Sequence, residues 1–211
     1  MFRLQLLSIL FISFFVSGSL FSDPAMKQTM ETYYGSDKQT SMYMMGSGGV
    51  STLSGAYFLT RDSDFQKGLA IPFIGLGLVQ LGIGGTSYYY NESRVKEANG
   101  KLSSNPSDFR KSEMEKMEKL KQRNYYLRAA ESILLLGGVY AAYSGSQNND
   151  HYMNGMGTGL VIQSAMMLLY DYFADKRTDD YRSNLMGFSA WATPQRGNQE
   201  GSYGLGVSFR F

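Results

Sequence analysis

Residues 68–90, GLAIPFIGLGLVQLGIGGTSYYY, form an uncharged run between Lys67 and Glu92. A helix that crosses a bilayer needs about 20 mostly apolar residues, so this run is long enough to do so. A surface helix of a water-soluble bundle would carry charges along its outer face, and this stretch has none. Glycines recur at Gly68, Gly75 and Gly82, a step of seven that leaves one helix face nearly bare. Glycine disfavours helix in water by about 1 kcal/mol relative to alanine. Its repetition on one face makes sense where that face receives another helix at short range. Small-residue seams serve this purpose in membranes, because apolar contact there gives no net drive between helices.

Three more charge-free segments share the pattern: 39–60, 132–149 and 152–170. Their small residues at the same step are Ser41, Gly48 and Gly55, then Ala130, Gly137 and Ser144, then Gly157 and Ser164. The expected helix-packing seam is therefore Gly48, Gly55, Gly68, Gly75, Gly82, Gly137, Gly157 and Ser164. Strands would need apolar residues on alternate positions. Within 68–90 the large apolar residues fall on both parities, and Pro72 sits badly in a central strand. Laying 48–90 over 130–172 places Gly75, Gly77, Leu78 and Val79 on Gly157, Gly159, Leu160 and Val161. The expected architecture is mainly α: two antiparallel glycine-rich helical hairpins forming a four-helix, membrane-type bundle. The polar turns of these hairpins fall at 61–67 and 146–151.

Aromatic residues give an independent length check. With the segments running up, down, up, down, one end collects Tyr43, Tyr88, Tyr89, Tyr90, Tyr125, Tyr126, Tyr170 and Tyr172. The other end collects Tyr57, Phe58, Phe65, Tyr140, Tyr143 and Tyr152. Membrane interfaces select aromatic girdles at two depths. The helical rise separates them by about 26–27 Å, close to the hydrocarbon thickness of about 30 Å. High glycine (24), tyrosine (16) and methionine (13) with 18% charged residues suit the same reading.

The region 91–131 is polar. SSNPS at 103–107 is a helix-start signal. Lys111–Glu115 and Glu115–Lys119 are spaced to pair across a turn. A water-exposed helical connector that runs on into the third segment and protrudes is expected.

The chain's two ends read differently. Arg3, the apolar run 4–21 and the small residues Ser17, Gly18, Ser19 and Ser22 suggest a cleaved export signal over 1–22. The domain division is then 1–22 signal peptide, 23–183 four-helix domain and 184–211 tail. In the tail, SYGLGVSFRF alternates cleanly after the turn PQRGNQEG, a β-hairpin signal. This ending resembles the last strand of bacterial outer-membrane β-barrels, which close on phenylalanine. That resemblance implies an outer-membrane location and keeps a small β-barrel among the readings. The 91–131 connector holds ten Lys and Arg, and the 146–151 turn holds none. The positive-inside rule would place the connector in the cytoplasm, whereas a cleaved signal followed by two spans places it outside. An outer-membrane or envelope-surface location removes the conflict, because the rule concerns inner-membrane insertion.

Reaction chemistry finds little support in the residues. With no cysteine there is no thiolate zinc site or cysteine nucleophile. His151, the sole histidine, sits in a polar turn and is expected to be a surface residue. GMGTG at 155–159 and GIGGTS at 82–87 lack the lysine and the spacing of phosphate loops. A net charge of +2 does not favour nucleic acid. Arg128 and Asp171 are expected to form an interhelix ion pair. The expected protein is a non-enzymatic, exported cell-envelope membrane protein with a structural or scaffolding role. Its expected partners are membrane lipid and envelope proteins or a second copy, with no cofactor or metal. A small transporter, channel or lipid-binding module is the alternative.

Overall fold

The structure, a computed structural model, describes residues 24–187. Four long α-helices account for nearly all of them: α1 Pro24–Leu59, α2 Asp64–Ser104, α3 Pro106–Gln147 and α4 His151–Gly187. The fold is mainly α. All four charge-free segments are helical, so the strand alternative for them is overturned, and the described residues contain no strand. The signal segment and the tail beyond Gly187 lie outside the described residues, while residues 184–187, assigned to the tail's β-hairpin, are the last turn of α4.

The helix ends follow local chemistry. Asn105 caps α3 by accepting from the Asp108 backbone N–H at 3.3 Å, and Pro106 occupies the first turn. Pro there forgoes an N–H that would have no intrahelical partner. At the other end Asn149 adopts φ 54°, a left-handed conformation that asparagine tolerates better than most residues. The Asp150 N–H then reaches the Gly145 carbonyl at 2.8 Å, closing the helix in a Schellman turn. The Asp150 side chain caps α4 by accepting from the Met153 N–H at 2.9 Å.

The helices contain 36, 41, 42 and 37 residues. At the helical rise they are about 54–63 Å long, twice what a bilayer requires. The bundle accordingly has two halves. α1 packs along α2, α3 along α4, and α2 against α4.

The half holding the chain's charges has a core like that of a water-soluble bundle. Met26, Met30 and Tyr34 of α1 meet Ala98 and Leu102 of α2, Phe109 and Met117 of α3, and Tyr181 and Leu185 of α4. Residues 24–38 are a packed part of α1. One expectation is corrected here. The 91–131 connector does not protrude as a solvated helix. It is two helical arms around the Asn105 turn, and both bury their apolar faces.

In the other half the usual distribution is inverted. Gln80 and Gln163 are fully buried, while Val50, Leu53, Ile133 and Leu136 are 67–73% exposed. Buried positions there are mostly Gly, Ser and Gln. Most of the tyrosines assigned to the two girdles point outward, Tyr89, Tyr125 and Tyr140 each at least 70% exposed, whereas Tyr170 turns its hydroxyl inward to Ser47. By length and composition α2 is the one described helix that meets the criterion for a membrane span.

Candidate functional site: a chamber at the junction of the two halves

The inverted half is held by close backbone contact, which fixes the geometry of the site below it. A Cβ on Gly48 would lie 2.7 Å from the Gly77 carbonyl, and one on Gly77 would lie 2.9 Å from the Gly48 carbonyl. Gly138 and Gly157 oppose each other the same way across α3 and α4. Gly68 abuts Tyr152 and Met156, and Gly155 abuts Phe65, bringing α2 onto α4 at the tip. Pro72 fills the space beside Gly159, 3.0 Å from where a Cβ would stand. GMGTG and GIGGTS are thus helical, and the first packs its three glycines on neighbouring helices.

The expected seam is displaced in two helices. Gly75, Gly82 and Gly137 would meet nothing within 4 Å if given a Cβ. The buried series in α2 is Ala70, Gly77, Gly84, Asn91 and Ala98, still at a step of seven but two residues later. In α3 it is Met117, Asn124, Glu131, Gly138 and Gly145. Gly48 and Gly55 of α1 and Gly157 and Ser164 of α4 face their neighbours. The overlay of 48–90 on 130–172 fails for the same reason: it equates Gly75, which faces away, with Gly157, which faces α3.

A polar chain threads the inverted half. Tyr170 Oη donates to Ser47 Oγ at 3.1 Å, and Gln80 Nε2 donates to Gln163 Oε1 at 3.2 Å. Gln163 Nε2 donates to Ser51 Oγ at 3.0 Å. Neither glutamine belongs to the expected seam. Gln80 is the sole amide in 68–90, and an isolated amide in an apolar run is the signal that could have found it.

In the charged half, Glu113 is 1% exposed on its side chain and fully occupied. It accepts from Tyr34 Oη and Tyr181 Oη at 3.1 Å and from Lys116 Nζ at 2.6 Å. Burial, then the Glu113 charge, pushes both phenols above the ordinary tyrosine range. Tyr33 stacks on Tyr181 at 4.3 Å between ring centroids, and burial pushes its phenol up to about 12. No sequence signal marked Glu113, which lies in a run of charged residues.

Between the halves lies a chamber of about 580 Å³ bounded by all four helices. Ligand pockets commonly span about 300–1,000 Å³. Leu76, Val79 and Ile83 of α2, Leu127 and Leu134 of α3 and Met167 of α4 line its apolar part. Its polar part carries Asp37, Arg94, Arg123, Glu131, Asp171 and Arg177. Half of these charges have partners. Arg94 pairs with Asp37 at 3.5 Å, and Arg177 Nη1 donates to Thr40 Oγ1 at 2.7 Å. Arg128 pairs with Asp175, which also accepts from Asn124 Nδ2 at 2.9 Å. The expected Arg128–Asp171 pair is therefore replaced by Arg128–Asp175, one helical turn along α4.

That replacement leaves two carboxylates unmatched. Glu131 is 5% exposed, and its Oε2 has no hydrogen-bond partner. Asp171 Oδ2 is likewise buried without a partner. Burial raises the Glu131 carboxyl to about 7, the Asp171 charge adds to this, and Arg128 opposes it. Burial also raises Asp171, against Arg128 and Arg123. Among the described residues no cluster of three metal-ligating side chains occurs. Comparisons with protein-family models, curated proteins and solved structures find no match to this chain.

Proposed function

We propose that the chain is a non-enzymatic, exported cell-envelope membrane protein. Two glycine-seamed antiparallel hairpins embed their apolar half in lipid, and the charged half stands in water as a structural or scaffolding body. The inversion of burial carries this reading. Water-soluble monomers rarely expose contiguous apolar patches beyond a few hundred Å². Here Leu, Ile and Val face outward around helices whose inner positions are Gly, Ser and Gln. Lipid supplies the partner those outward side chains lack, and outward tyrosines at both ends suit the two interfaces. An outer-membrane location follows from the resemblance of the carboxyl-terminal residues and from the placement of the basic connector.

Alkaline carbonate extraction of membranes tests the reading. Retention in the pellet is expected, and release into the supernatant would leave an exported soluble bundle. Density separation of inner from outer membrane then tests the location.

A second reading, a lipid-binding module, is favoured by the chamber, which joins an apolar wall to a charged end at the depth of one tyrosine girdle.

A further inference from the structure

The observation that carries furthest is the unmatched carboxylate pair in the chamber. We propose that the chamber binds an amphiphilic amine, its ammonium group on Glu131 with Asp171 beside it and its apolar chain along Leu76, Val79 and Leu134. This rests on reading the chamber as a lipid-binding module.

Charge complementarity selects the amine. Glu131 is 95% withdrawn from solvent, lines the chamber and has an oxygen with no donor. A buried charge without a partner is costly, and the site relieves that cost by taking a proton or a cation. The cations nearby commit their terminal nitrogens elsewhere, although Arg128 Nε and Arg177 Nε are themselves buried without a partner. Arg128 faces Asp175, Arg94 faces Asp37, and Lys116 faces Glu113. Arg177 is held by Thr40 and shares the field of Asp37. Arg123 remains, exposed and attracted to both Asp37 and Asp171. An alkyl carboxylate beside Glu131 and Asp171 would be repelled. An alkyl ammonium donates to both carboxylates while its chain lies on the apolar wall.

Calorimetric titration of the full chain in a non-ionic detergent at pH 8, with octylamine and with octanoate, tests this. Octylamine is expected to bind at least tenfold more tightly than octanoate, after subtraction of the heat of entering empty micelles. Glu131→Gln is expected to weaken octylamine at least tenfold while leaving the helical circular dichroism unchanged. Lowering the pH from 8 to 6 should weaken the amine as Glu131 takes a proton. Equal binding of the two probes overturns the proposal, and so does full affinity in Glu131→Gln. If Glu131→Gln does not fold, Asp171→Asn takes its place, and undiminished affinity there overturns the proposal equally. Release by carbonate with amine binding intact would sink the membrane reading alone. Membrane retention without amine binding would sink this inference alone.

Discussion

Gln80 and Gln163 face each other across α2 and α4, amide to amide at 3.2 Å, both with no solvent exposure. Each is the large polar side chain at the centre of a half whose outer surface is apolar. Their contact ties the two helix pairs together where glycine brings the backbones close.

Losing one amide should cost more than losing both. Gln80→Leu or Gln163→Leu alone strands the other amide, at about 1–3 kcal/mol. The double Leu variant should recover part of that loss, since polar pairs replaced together by apolar groups can be nearly neutral. Unfolding in mixed detergent, read by circular dichroism over the four proteins of the cycle, checks the coupling. Additive losses would show that the two amides act independently.

The displaced seam separates two adjacent series of glycines. Gly77→Ala should destabilise by about 1–3 kcal/mol, because the new methyl meets backbone at 2.9 Å and Thr52 Oγ1 at 2.6 Å. Gly75→Ala should stay within about 0.5 kcal/mol of the parent, since its Cβ meets nothing. Thermal unfolding in detergent distinguishes them, and equal effects would contradict the packing described.

The Glu113 node makes the charged half sensitive to alkali. Tyr34 and Tyr181 hold their protons more tightly when folded than at the ordinary value of 10.0. The stability this provides is fully present below pH 10. Above it the unfolded chain ionises first, so stability falls as pH climbs towards the folded values. Ultraviolet titration should show two phenols that ionise only on unfolding. Tyr181→Phe, which removes one donor from Glu113, should cost about 1–3 kcal/mol.

Glu131 acts in the neutral range. Its folded carboxyl lies at about 7 against an ordinary 4.5. Stability is therefore fully present below pH 4.5 and is lost as pH rises through 7. Glu131→Gln removes that dependence. The ligand-free variant should exceed the parent at pH 8 by about 1–3 kcal/mol, and the two should converge at pH 4. A parent stability that rises between pH 5 and 8 while the variant stays flat would reverse the assignment.

Much of this was legible in the residues. Runs without charge, glycine at a step of seven and SSNPS announced four helices and the Asn105 turn, because these depend on local propensity and capping. The phase of the seam was not legible. Residues 68–90 contain one small-residue series at 68, 75 and 82 and another at 70, 77 and 84, and both obey the same period. The approach of α1 selects the second at Gly77 and Gly84, while α4 meets only Gly68 of the first, since a Cβ is excluded where backbones touch and permitted elsewhere. The ion pair differs for a related reason: Asp171 and Asp175 lie one turn apart on the same face of α4, and the axial register of α3 against α4 gives Arg128 to the second. The sequence by itself determined the four helical segments and the split into a charged and an uncharged half. Tertiary structure decided which glycines touch, which amides meet and which carboxylates are left without a partner, because those depend on the relative rotation and axial register of helices that local chemistry leaves free.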